Sequence, residues 1–201
     1  MKITNATGGL LCLAGMLLLG GCAGGNLLTV RVDRIINRPP ENQPIIVRPF
    51  RVNSAQVLGD KSNVESVVEG TKDRVKSNIQ SFLIEELQNA GFNAMAYNPK
   101  ARPPKDGLLL DGIVRKIDNG STAARFWVGM GAGSATIIAT IRITRSDNNK
   151  DVLAEFDAAG STKGEGGWSA YTDSAQANSQ RLAKAVVKNY FMRKPAAGEA
   201  R

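Results

Sequence analysis

The sequence predicts an α/β (α+β) domain in which a single mixed sheet of about five strands carries two long amphipathic helices packed on one face. Two helical patterns and five β-like stretches support this prediction, in the order strand, helix, four strands, helix. The length of 201 residues fits one domain with appendages, and 21 glycines and 8 prolines provide its turns.

The first predicted strand lies within residues 45–52, where apolar residues alternate with Arg48 and Arg51. Pro49 cannot donate a ladder hydrogen bond, so we expect an edge or a bulge at that position. Upstream, residues 27–32 alternate imperfectly, which fits either a strand or an extended tether.

The first predicted helix follows, because apolar residues recur at three- and four-residue steps from Val64 to Leu87. Ser62 and Glu65 have the spacing of a capping box at its start. Gly91 provides a left-handed stop, and Phe92 is placed to fold back on Leu87.

In the second half of the chain, the sequence pattern predicts four strands and a helix. The strands are expected at 92–97, 108–117, 134–145 and 152–161, and Asp147–Asp151 has the composition of a hairpin turn between the last two. The final amphipathic helix is expected from about Thr172 to Arg193, before Pro195 ends it.

The N-terminal segment has the pattern of a lipoprotein signal peptide. Its apolar run is too short to span a membrane and ends in Leu19-Gly20-Gly21-Cys22, which resembles the bacterial lipobox. We therefore predict a signal peptide at 1–21, a lipidated N-terminal tether at 22–44, an α/β envelope domain at 45–194 and a flexible tail at 195–201.

The predicted lipidation site is Cys22. Ala23 follows it instead of aspartate, which by resemblance to Gram-negative sorting rules favours the periplasmic face of the outer membrane; a surface lipoprotein is the alternative. Because Cys12 leaves with the signal peptide, the mature chain cannot form an internal disulfide.

The inventory of reactive side chains excludes several kinds of site. The chain has no histidine and two cysteines, which excludes histidine-based triads, histidine metal sites and zinc clusters. The glycine-rich run 129–134 lacks the last glycine of a dinucleotide-binding loop and the Gly-Lys of a P-loop, so we read it as structural. We thus predict no catalytic residue, cofactor or metal.

Arg125, Phe126 and Trp127 form the candidate partner-binding site, because arginine and tryptophan are frequent at binding hot spots. The alternative is a core tryptophan with Arg125 paired to a carboxylate. Gly164–Trp168 offers a second glycine-rich loop with one aromatic residue, which is either a contact or a helix-entry residue.

The formal net charge of +8 favours anionic surfaces. Export removes the protein from cytoplasmic nucleic acid, so anionic lipid headgroups or cell-wall carboxylates are the expected partners. The basic residues of the last helix need no partner, since a solvated helix end explains them.

The lipobox, Val47-Arg48-Pro49-Phe50 and the glycine-rich run together resemble bacterial lipoproteins catalogued only as a domain of unknown function. The arrangement of elements is also similar to the TolB N-terminal domain, the penicillin-binding-protein activator lipoproteins and the curli-secretion lipoprotein. These resemblances imply an α/β envelope module that binds other proteins; they imply no catalytic residues.

Two classes of function follow. The first is a non-catalytic, lipid-anchored protein-binding or assembly module of the envelope. The alternative is a cell-envelope hydrolase that uses carboxylates, such as Asp111 with Asp118 or Glu85 with Glu86, or a Ser/Lys pair.

Overall fold

The computed structural model describes residues 26–33, 39, 42–60, 62–121, 134–161 and 174–193. Within these ranges one mixed sheet of seven strands carries two helices, so the predicted fold class is confirmed. The elements are β1 (Asn26–Asp33), β2 (Ile45–Val47), β3 (Gln56–Leu58), α1 (Glu65–Asn89), β4 (Ala94–Ala96), β5 (Leu108–Asp118), β6 (Thr136–Arg145), β7 (Val152–Ser161) and α2 (Ser174–Val186), which continues as a π-helical turn, Val187–Phe191.

The sheet has the strand order β1-β7-β6-β5-β2-β4, and β3 also pairs with β5. Strands β1, β7, β6 and β5 pair antiparallel with one another. Strands β2 and β3 pair in parallel with β5, and β4 pairs in parallel with β2. Short strands thus form one side of the sheet, and long strands form the other.

Strands β2 and β3 lie one after the other along the same edge of β5. Pro49 interrupts them as expected, because a proline cannot donate to the ladder. The ladder resumes at Arg51, whose backbone N–H donates to the Gly112 carbonyl at 2.9 Å. Phe50 packs so closely over Gly112 that a Cβ on this glycine would overlap its ring.

Helix α1 ends as predicted and begins differently. Gly91 has a φ of 85°, its N–H donates to the Gln88 carbonyl, and the Phe92 N–H donates to the Leu87 carbonyl at 3.0 Å. This is a Schellman motif with its apolar contact. The capping-box prediction is wrong, because Val64 is the N-cap residue and makes no side-chain cap.

The core lies between the helices and one face of the sheet. Val75, Ile79, Leu83 and Leu87 from α1 share a single buried cluster with Val186 and with the inward residues of the strands. Helix α2 lies directly on β7, since a Cβ at Gly160 would overlap the Asn178 carbonyl oxygen and lie 2.7 Å from the Leu182 nitrogen.

The strand count of about five is corrected to seven by β1 and β3. Residues 26–33 pair with β7, so the sheet extends into the segment predicted as a tether. Strand β3 has three residues and no clear alternation, so no local pattern predicts it. Both strands depend on a long neighbour for their hydrogen bonds.

Candidate functional site

The helix-free face of the sheet carries a connected network of charged and polar side chains. Along β7, Ala154, Phe156 and Ala158 point to the core, so Glu155 and Asp157 lie on the opposite face. This alternation follows from the two-residue period of a strand. It places both carboxylates beside the arginines of β1, β5 and β6.

Asp157 is the centre of this network. Arg31 on β1 donates to its two carboxylate oxygens at 2.9 and 2.5 Å, and the Thr140 hydroxyl on β6 donates to it at 2.7 Å. The Arg115 guanidinium on β5 donates to the same hydroxyl oxygen at 3.2 Å. Four hydrogen bonds therefore connect four strands.

Glu155 extends the network. Arg142 approaches its carboxylate at 3.3 Å, and Arg31 lies 4.0 Å away on the other side. The backbone register places Asp111 opposite Arg142 on the neighbouring strand β5. The face thus alternates in charge across the sheet from β5 to β1.

The electrostatics of the network favour its ionised form. The hydrogen bonds from Arg31 lower the pKa of Asp157, with a smaller contribution from Thr140, although burial opposes the shift. The same contact raises the pKa of Arg31. A general acid needs a raised pKa, so Asp157 has the wrong shift for that task.

The carboxylate pairs named by the sequence do not come together. Asp111 and Asp118 are seven residues apart on β5, a separation of about 23 Å. Asp118 instead pairs with Lys116 at 3.2 Å. Glu86 lies 3.9 Å from Lys184 on α2, and Glu85 is exposed. Among the described residues, no cluster of metal-ligating side chains is present.

A second polar cluster fastens β1 to the C-terminal helix. Asp33 accepts hydrogen bonds from the Tyr190 hydroxyl at 3.2 Å and from Arg193 at 2.8 Å. Burial raises the pKa of Tyr190, which stacks on Phe156 with ring centroids 4.5 Å apart. This cluster stabilises the β1 edge and leaves the tyrosine protonated.

The sequence-predicted site residues Cys22, Arg125, Phe126 and Trp127 lie outside the described residues, as does Trp168. Only the described residues that flank the segments containing Arg125–Trp127 and Trp168 have a position in the structure. Residues 122–133 lie between Ser121 and Ser134, and residues 162–173 lie between Ser161 and Ser174.

These four serines lie at one end of the sheet, which we call the serine-rich end. The register joins Asp118 of β5 to Thr136 of β6 and Thr136 to Ser161 of β7. The Thr136 hydroxyl donates to the Ser161 hydroxyl at 3.1 Å, which in turn donates to the Ala135 carbonyl. The residues that bound the two glycine-rich segments, which are separate in sequence, therefore lie at the same end of the sheet.

The opposite end, which we call the hairpin end, contains the β6–β7 turn and the loop before β5. The Asp151 N–H donates to the Asn148 carbonyl at 3.0 Å, and the Asn148 side chain accepts from the Lys150 N–H. The predicted hairpin turn is thus confirmed. The Ser146 hydroxyl donates to the Pro104 carbonyl, and this hydrogen bond joins the turn to the loop before β5.

A family model matches residues 45–166, which is more than half of the chain and includes the residues from β2 to β7. The chain belongs to the DUF4410 family. This family is described as a domain of unknown function, which confirms the resemblance expected from the sequence. No curated protein sequence matches the chain.

Solved structures provide more distant likenesses. The PelC dodecamer from Paraburkholderia phytofirmans has 10% identity and a TM-score of 0.46, with 81% of this chain and 96% of that chain covered. A DUF330 protein from Xanthomonas campestris has 15% identity, a TM-score of 0.40 and coverages of 81% and 90%. A lipoprotein from Neisseria meningitidis has 14% identity, a TM-score of 0.34 and coverages of 59% and 82%. Because these scores are below 0.5, they support no conclusion about this chain.

Neither described helix is both long enough and apolar enough to cross a bilayer.

Proposed function

We propose that the protein is a lipid-anchored envelope protein whose domain acts as a non-catalytic protein-binding or assembly module. The lipobox ending at Cys22 supports attachment to the outer membrane on its periplasmic side. Two or more acyl chains on one cysteine suffice for stable anchoring.

The charged network on the helix-free face is the main observation that supports a binding function. Its carboxylates and guanidinium groups are already fixed by mutual hydrogen bonds, and Arg31 and Arg142 remain 42% and 45% exposed. A partner that contacts such a face orders few additional side chains, which lowers the entropic cost of binding. Alternating charge also selects for a partner with the complementary pattern.

The Arg125, Phe126 and Trp127 segment is the second contact surface that we propose. An arginine beside two aromatic residues provides the side chains that most often dominate an interface. Envelope proteins are the proposed partners, with anionic lipid or cell-wall carboxylates as additional contacts.

Site-specific photocrosslinking tests the role of the helix-free face. A crosslinking residue at Arg142 samples this face, and the same residue at the exposed Glu85 on α1 is the matched control. We expect a discrete adduct from position 142 in cells that carry the lipidated protein, and none from position 85. Equal adducts from both positions, or none from either, would contradict the proposal.

Alanine substitutions test the second surface. Arg125→Ala and Trp127→Ala should retain the circular dichroism of the wild type and lose the partner that the position-142 crosslink captures. Unfolding by both substitutions, or unchanged capture, would show that this segment is structural.

A further inference from the structure

We propose that the serine-rich end of the sheet is seated on the lipid bilayer, with Leu28 and Val64 inserted among the headgroups. This inference rests on the proposed lipid anchor and adds an orientation to it. The hairpin end then points away from the membrane.

The length of the tether is the first observation. Cys22 precedes Asn26, the first residue of β1, by four residues, which span at most about 14 Å when fully extended. Asn26 is paired with Ala159, two residues before the end of β7. The lipid is therefore held close to the serine-rich end.

The length of the strands excludes the inverted placement. Asn26 is level with Ala159 of β7, which is seven steps from Val152 at the hairpin end, a length of about 23 Å. A domain that rested on its hairpin end would hold Asn26 roughly that far from the bilayer, about one and a half times the reach of the tether.

Exposed apolar side chains show what this end offers to the headgroup region. Leu28 is 53% exposed and Val64 is 41% exposed. Leu28 follows Leu27, which pairs with Ala158 near the end of β7. Val64, the N-cap of α1, follows β3, whose Leu58 pairs with Asp118 at the end of β5. Both therefore lie toward the serine-rich end. Met95 and Met192 are similarly exposed toward the hairpin end, so the length of the tether selects the end that faces the bilayer.

Their separation suits a flat surface. Strand β1 is one edge of the sheet. Strand β3 precedes Val64 and pairs with β5, so β3 lies four strand positions from β1. Four strand spacings amount to about 19 Å. The lipid, Leu28 and Val64 would thus make three separate contacts, and apolar contacts of this kind are favourable at the boundary between headgroups and acyl chains.

The long sides of the domain are less suitable for the bilayer. One presents the ionised network around Asp157, and the other presents acidic residues of α1 such as Glu69 and Asp73. Charged side chains such as these oppose burial among the acyl chains of a bilayer.

Energy transfer to a labelled lipid tests the orientation. The mature chain has no thiol besides Cys22, which the lipid occupies, so one added cysteine can be labelled alone. Asn63→Cys reports the serine-rich end, and Asn149→Cys in the hairpin turn is the matched control, since both asparagines are exposed. The lipidated protein is reconstituted in vesicles of phosphatidylethanolamine with and without phosphatidylglycerol, which contain an acceptor on the headgroup.

We expect severalfold greater transfer from position 63 than from position 149 in both vesicle types. Equal or reversed transfer in vesicles that still carry the protein on flotation overturns this inference and leaves the anchor intact. Failure to float overturns the anchor and the orientation together.

Side-chain substitutions test the two apolar contacts. Leu28→Ser with Val64→Ser should reduce transfer from position 63, whereas Met95→Ser, at an exposed site on β4, should not. Unchanged transfer contradicts lipid insertion. Transfer that appears only in native membranes, and not in protein-free vesicles, would assign this end to an envelope protein and overturn the proposal.

Discussion

Arg31 on β1 and Asp157 on β7 form a two-point ion pair between residues that are 126 positions apart in the chain. Their contact, together with the bonds from Tyr190 and Arg193 to Asp33, fastens the first strand to the rest of the sheet. An edge strand with two register shifts has an irregular ladder, so these side chains supply part of its attachment.

Asp157→Asn should destabilise the domain by about 1 kcal/mol, because it removes the charge from a partly exposed pair. The effect should depend on pH. Arg31 lowers the pKa of Asp157 in the folded state. The stabilisation is therefore present above the unfolded value of about 4 and is lost as the pH falls through the lower folded value.

Urea unfolding at several pH values measures this difference. The free energy of unfolding of the wild type should exceed that of Asp157→Asn near neutral pH, and the gap should close in acid. Asp73→Asn, at an exposed position on α1, is the control. A gap that persists unchanged in acid would mean that the pair does not stabilise the ionised carboxylate.

Leu87→Ala should reduce the free energy of unfolding by about 2–5 kcal/mol, since Leu87 is fully buried. Val186→Asp should cost more, because a carboxylate without a partner would enter the same core. Both variants should unfold in one transition by circular dichroism, while Met192→Ala, at an exposed site, should change little. Two separate transitions would disprove the single shared core.

Gly160→Ala should prevent the close packing of α2 on β7 and lower the melting temperature strongly, because its Cβ would overlap the Asn178 backbone. Gly70→Ala is the matched control. A Cβ at Gly70 meets no atom within 4 Å, so alanine should stabilise α1 by about 1 kcal/mol. Thermal unfolding of both variants checks the pair, and similar shifts in both would contradict the packing at Gly160.

Cys22→Ser should leave an unprocessed or soluble precursor, because the serine hydroxyl does not accept the thioether-linked lipid. Fractionation on a sucrose gradient, with gel mobility to detect the signal peptide, measures the outcome. Wild-type protein should sediment with the outer membrane. Normal maturation and membrane association of the variant would disprove the lipid anchor.

Long periodic elements were predictable from the sequence. The apolar steps of α1, its Gly91 stop and the alternation of β6 are local patterns, and a local pattern is sufficient when an element is long enough to repeat it. The turn at Asp147–Asp151 and the interruption at Pro49 were predictable for the same reason, since turn chemistry acts over a few residues.

The short and edge strands were not predictable in this way. Three residues of β3 show no period, and β1 is irregular because of its two register shifts. The capping box failed because the helix begins three residues after Ser62, at Glu65. A spacing motif does not specify which turn of the chain becomes helical.

The sequence alone determined the signal-peptide pattern, the fold class, the two amphipathic helices and the absence of histidine chemistry, because each is a property of composition or of local periodicity. Only the tertiary structure decided that Arg31 meets Asp157, that Gly160 lies beneath α2, and that the residues bounding both glycine-rich segments lie at one end of the sheet. Such contacts join residues far apart in the chain, and they depend on strand order and register. Those are set by the burial of the whole core, which no single segment specifies.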